Sequence, residues 1–307
     1  KLKKINNSTM KKIISIFVVL LLVVFACKKS ENNTEDESYV KGIAEIYVDE
    51  SLLPIVEDQE MVFESRYPKA NIKLIPKSDS DIVNLLLQRK IDIAVLSHEL
   101  TTTQEKTLRD SDVVGKNTPF CSDAIALIVN QANTKTAITT SEIYDILKGK
   151  KTEIQYVFDN ENSSTLSFLM DKAGVKSLPK SITALNNNLE VIKFVSENKN
   201  SMGFVGVNWL LNPSIELENT IKKVKVLSVG STIKNAVKPT QSYIETNEYP
   251  FVRKIYLLNY QGRTGLGMGF ASFVKSEVGQ RIALKSGLAP VKIPTREIRI
   301  VKNNKKK

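Results

Sequence analysis

Short β-branched runs and longer stretches of helical periodicity take turns along most of the chain. Residues 42–48 (GIAEIYV) read as a strand, followed by a helical stretch over 51–66 that Tyr67-Pro68 stops. A strand is predicted at 71–75. Residues 78–88 then form a helix, with Ser78 or Asp79 as N-cap and Ile82, Leu85 and Leu86 on one face. The segments 91–96 (IDIAVL) and 123–129 (DAIALIV) are apolar runs bounded by polar residues, as expected of strands covered on both faces. Helices are predicted at 140–147, 163–172 and 189–198, strands at 202–207, 224–227 and 252–258, and a closing helix at 271–286. Strand and helix alternating this densely predict an α/β fold with largely parallel sheets. No internal repeat is visible.

The first forty residues follow a different pattern. Met10-Lys11-Lys12 precedes an apolar run over 13–26 in which Ser15 is the only polar residue, and Cys27 closes it. This is the layout of an export signal, too short for comfort as a membrane-spanning helix, which takes roughly 20 residues. Val24-Phe25-Ala26-Cys27 resembles the lipobox of bacterial lipoproteins, which implies lipid on Cys27; an uncleaved anchor is the alternative. The expected plan is a signal over 1–26, with 1–9 upstream of the start at Met10, and a lipidated Cys27 with a polar tether over 27–40. Such a protein is exported and held at the bacterial cell envelope, on the periplasmic side of the inner or outer membrane.

Charge narrows the function. The formal net charge is +11, yet Lys1, Lys3, Lys4, Lys11 and Lys12 lie in the signal and Lys302, Lys305, Lys306 and Lys307 in a basic tail over 294–307. The body between them is close to neutral, which argues against a nucleic-acid binder. Cys121, the second of two cysteines, lacks a disulfide partner and is predicted buried. With His98 the sole histidine and no HExxH, CxxC, GxSxG or P-loop pattern, no metal site, cofactor or enzyme is predicted.

The order of short motifs resembles the phosphate-binding proteins of bacterial ABC transporters, of the two-lobed type II periplasmic binding protein class. The matching pieces cover nearly all of the body. They are Arg89–Ser97 (RKIDIAVLS), Ser122–Asn130 (SDAIALIVN) with Asn133, Thr139–Ile143 with Ile146–Gly149, Met202–Gly206 (MGFVG), Tyr249-Pro250 with Arg253 and Tyr256, and Ser276, Gly279-Gln280 and Gly287–Pro290. The resemblance implies two lobes, each a mostly parallel sheet flanked by helices, with a ligand cleft between them. The lobes are expected at 41–121 plus 260–293 and at 122–259, with hinge crossings near 122–130 and 249–259.

The implied ligand is a small anion, phosphate or a relative, passed to an ABC permease. Helix starts suit it, because their N–H groups and dipole favour negative charge. Ser51 with Leu52, Ser78, and Ser163-Ser164-Thr165 open helices and match the family's three anion-binding loops in order; His98 follows the "DIA…S" strand. The same serines also serve as ordinary N-caps. Departures are as clear: Asp159 stands where the family carries an arginine, Ser164 where it carries glycine, and Asp49, Glu50, Asp79 and Asp81 crowd the other loops. Loss of a guanidinium contact predicts weak phosphate binding unless Lys77, His98 or Arg253 supplies another cation. A second reading stays open, that of a binding-protein fold reused as an interaction module in an envelope complex.

Overall fold

The computed structural model describes residues 38–295 apart from 151 and 212. The predicted signal, Cys27, most of the tether and the tail beyond 295 lie outside the described residues. Among the described residues no helix is long and apolar enough to cross a membrane.

The strands are β1 (Gly42–Asp49), β2 (Ala70–Lys77), β3 (Ile93–Leu96), β4 (Lys116–Asn130), β5 (Ala137–Thr139), β6 (Gln155–Phe158), β7 (Ile182–Ala184), β8 (Ser201–Gly206), β9 (Val224–Val226), β10 (Ser228–Gly230), β11 (Val252–Asn259) and β12 (Ala289–Pro290). Helices of eight residues or more are α1 (Leu53–Arg66), α2 (Asp79–Leu87), α3 (Thr102–Arg109), α4 (Thr140–Leu147), α5 (Ser164–Ala173), α6 (Asn188–Glu197), α7 (Leu266–Lys275) and α8 (Glu277–Lys285). One sheet runs in the order β2-β1-β3-β11-β4-β8-β6-β7, with β12 and β9 also on β4. The outer pairs β1–β2, β1–β3, β6–β7 and β6–β8 are parallel, as the alternation predicts. The middle of the sheet is antiparallel, because β11 returns against both β3 and β4 and β4 lies against β8.

The long strand β4 ties the halves together. Its residues up to Ala124 pair with β11, and from Ile125 onward it pairs with β8 and β9. Phe120, Cys121 and Ala124–Val129 are all buried, which accounts for the unbroken apolar stretch in the sequence. Cys121 is among the fully covered residues, and burial raises its thiol pKa.

The predicted helix at 271–286 is corrected to two helices. Ser276, in extended conformation, ends α7 and caps α8 by accepting from the Gly279 amide. The first of the pair begins earlier than its glycines suggest. A side chain at Gly269 would strike the Tyr39 carbonyl, so glycine lets the segment at Ser38–Lys41 lie directly on α7.

Candidate functional site

Parallel strands gather their following loops at the carboxyl ends of the sheet, where open α/β sheets place ligands. The Asp49–Leu52 loop leaves β1, Ser78-Asp79 leaves β2 and Ser97-His98 leaves β3. From the other half come the Asp159–Ser163 loop after β6, the start of α6 after β7, and Asn208 after β8.

The loop after β1, the head of α5 and strand β4 converge on one guanidinium. Arg253, near the start of β11, is fully buried and places Nη2 2.7 Å from Asp123 Oδ2 on β4. Its Nη1 donates to Ser164 Oγ at 2.9 Å and to Ser51 Oγ at 3.4 Å. The two serine hydroxyls are themselves 3.2 Å apart. Asn208 Nδ2 holds the Ser51 carbonyl at 2.9 Å and leans on Asp123 Oδ2 at 3.4 Å. Gly206 is obligatory here, since a Cβ would lie 2.6 Å from the Ser51 carbonyl oxygen.

Ser51, Ser163, Ser164 and Thr165 are all buried, as is Leu52. Ser163 caps α5 by accepting from the Leu166 amide, leaving the Ser164 hydroxyl to Arg253. Thr165 Oγ1 and Arg253 Nε are buried without a hydrogen-bond partner among the described residues, as are the carboxylate oxygens Asp49 Oδ2 and Asp123 Oδ1. Ser78 plays another part. Its hydroxyl caps α2 and donates to Asp81 at 2.6 Å, and among the described residues no hydrogen bond joins it to the Ser51–Ser164 pair.

A carboxyl cluster lines the neighbouring side. Asn188 at the start of α6 donates through Nδ2 to Glu50 at 2.7 Å and to Asp159 at 3.1 Å, and its amide N–H also reaches Glu50. The Gly206 amide fixes that Asn by donating to its Oδ1. Burial pushes Glu50 up to about 8, helped by the charge of Asp159 and opposed by the Asn188 bonds. Burial also pushes Asp49 up to about 6, with Asp79 adding repulsion and Arg253 offsetting part of it. Asp159 is raised by burial despite the Ser163 hydroxyl. His98 completes the cleft. Its Nε2 meets Asp79 at 2.8 Å and its Nδ1 the Glu99 carbonyl at 2.8 Å, so both ring nitrogens face acceptors. Partial burial works against protonation, but the Asp79 hydrogen bond and charge carry the imidazole up to about 9.

Of the residues singled out in the sequence, Ser51, Ser164 and Asp159 lie in this network and His98 borders it through Asp79. A guanidinium does lie in the network, that of Arg253 on β11, ion-paired with Asp123. Asn188, Asn208 and Asp123 went unnoticed as site residues. Asp123 and Arg253 stood in matched motifs, but only the antiparallel register that sets Arg253 opposite Asp123 reveals them as a pair.

The model of the PBP superfamily domain matches residues 33–278. Protein SphX of Synechococcus elongatus is 21% identical over 295 residues, covering 89% of this chain and 84% of that protein. The phosphate-binding protein PstS of Staphylococcus saprophyticus is 21% identical over 201 residues, covering 60% of this chain and 59% of its own. Among solved structures, a Clostridium perfringens protein described as a phosphate ABC transporter substrate-binding protein, with phosphate bound, superposes with a TM-score of 0.70. It is 21% identical, and the match covers 82% of this chain and all of that one. The fold is the two-lobed type II periplasmic binding fold. This chain belongs to the PBP superfamily, as a divergent relative of phosphate-binding substrate-binding proteins.

Proposed function

We propose that this protein is the solute-binding component of a phosphate-type ABC uptake system, binding a small oxyanion in the cleft and anchored to the envelope by lipid on Cys27. The observation that carries the reading is the convergence of Arg253 Nη1, Ser51 and Ser164 at the N-terminus of α5. A guanidinium, hydroxyls and helix amides in one place make a donor set for a tetrahedral oxyanion. In this reading the lobes comprise residues 41–121 with 260–293 and residues 122–259. The exchange of partners along β4 at Ala124-Ile125 supports that boundary.

The carboxyl cluster sets the condition. Charged Glu50 and Asp49 repel an anion, and both take up protons as pH falls through about 8 and about 6. Oxyanion affinity therefore rises as the solution is acidified. Calorimetric titration with phosphate, and with sulfate as an anion whose own charge is constant in this range, tests it. Both anions are expected to bind more tightly near pH 6 than above pH 8. Absence of binding by either at both values sinks the uptake reading.

That outcome favours the second reading, reuse of the fold as an envelope interaction module, for which the acidic residue at 159 beside Glu50 is the specific support. The anchor has its own test. Cys27→Ala is expected to move the protein from the membrane fraction to the soluble exported fraction, and retention after a carbonate wash counts against lipid.

A further inference from the structure

The β4–β11 pair has a second end. Register sets Arg253 opposite Asp123 at the cleft and Asn259 opposite Lys116 six residues further along, roughly 20 Å away at about 3.3 Å per residue. A cavity of about 340 Å³ opens there, between the start of β4, the end of β11 and one side of α7 as far as Lys275.

Its lining is cationic. Lys116, Arg263 and Lys275 border it, with the hydroxyls of Thr264 and Ser272, and no carboxylate is among the lining residues. Lys116 and Lys275 make no ion pair among the described residues. Asn259, only 7% exposed, also lines the cavity. Its Oδ1 accepts from the Gln261 amide, while its buried Nδ2 has no partner among the described residues. A buried amide donor without an acceptor costs free energy unless something supplies one. The helix start adds to this, because the Gly265 cap of α7 contributes no side-chain acceptor to the first-turn N–H groups. Glu99 and Glu105 come near only through Asn117, whose Nδ2 donates to both.

The remaining wall is apolar, made by Val114, Met268 and Ala271. The volume is well beyond what one tetrahedral ion fills. We propose that this cavity is a second binding site, separate from the cleft, for a small organic anion that carries a phosphoryl or carboxylate head and a short apolar body. The head meets Lys116, Lys275 and Asn259 Nδ2, and the body lies against Met268 and Ala271. This site stands independently of the ligand in the cleft.

Phenyl phosphate is the probe, titrated by calorimetry into the full-length protein in detergent. Three forms are compared: the unmodified chain, the double variant Lys116→Gln/Lys275→Gln and the cleft variant Ser164→Ala. Saturable binding is expected, weakened about tenfold or more by the double lysine change, since each charge-assisted contact is worth roughly a decade or more. Ser164→Ala is expected to leave it within about twofold, and the lysine change to leave cleft binding of inorganic phosphate in place. Both lysines are exposed, so the double variant is expected to keep its thermal midpoint. Binding unchanged by the double variant, binding lost in Ser164→Ala, or no saturable binding up to about 1 mM each overturn the proposal.

Discussion

Two groups of charged side chains occupy the cleft, and they are kept in different ways. Arg253 and Asp123 share an ion pair at 2.7 Å with both side chains wholly out of water. Glu50 and Asp159 instead converge on one amide, that of Asn188. Burial raises the pKa of all three carboxyls, but at Asp123 the Arg253 guanidinium offsets part of the shift by charge and hydrogen bond, whereas Glu50 and Asp159 share a neutral amide. A buried pair is intolerant of losing one member. A protonated carboxyl is the reverse: replaceable by an amide, and responsive to every unit of pH.

The sharpest way to break the comparison is to remove one member of the pair. Arg253→Ala leaves Asp123 buried and uncompensated and is expected to cost about 3–5 kcal/mol, read from the midpoint of urea unfolding. Asp123→Asn added to it is expected to recover much of that loss. A single variant as stable as the parent would show that the pair is not what holds this part of the cleft.

Glu50→Gln probes the other group. The folded pKa of about 8 lies above the ordinary 4.5, so the folded chain binds this proton more tightly than the unfolded chain. Its contribution is complete below pH 4.5 and is lost as pH rises through about 8. The glutamine variant is expected to keep stability above pH 8 that the parent loses, with little difference near pH 4.5. Parallel stability–pH curves for the two proteins would remove protonation from the picture.

Affinity follows with a smaller effect. Asp159→Asn removes a like charge beside the donor set and is expected to tighten phosphate binding about three- to tenfold at neutral pH, measured by calorimetry. A weakening would mean that Asp159 accepts a proton from the ligand instead of repelling it. The smallest effect belongs to His98. Its side chain is 41% exposed, so its pairing with Asp79 is largely screened, and His98→Asn is expected to cost no more than about 1 kcal/mol at neutral pH. The raised imidazole pKa means that this contribution is full below the ordinary value of 6.5 and vanishes as pH passes about 9.

Much of the framework was legible because burial leaves strong patterns. β1, β3 and β8 are short apolar runs between polar flanks, and α2, α4 and α6 keep helical spacing with a capping residue at each start. What escaped was held by partners distant in sequence. Lys116–Thr118 reads as polar loop and becomes strand because β11 lies beside it. β6 and β7 are four and three residues long, too short to show a period. α3 is mostly exposed and lacks an apolar stripe, although Thr101 and Gln104 spell a capping box that marks its start. At the site, Ser163–Thr165 were visible through the chemistry of helix starts. Arg253, on a strand, approaches Ser164 only through tertiary folding.

The pairing of Cys121 with Ile255 has a consequence for how the molecule comes into being. The centre of the sheet cannot close until β11, near the far end of the chain, has been made and delivered. Everything between must first be looped out, and such late, long-range closure slows folding. The same strand arrangement that joins the two halves therefore leaves the middle of the sheet open until most of the chain has been made.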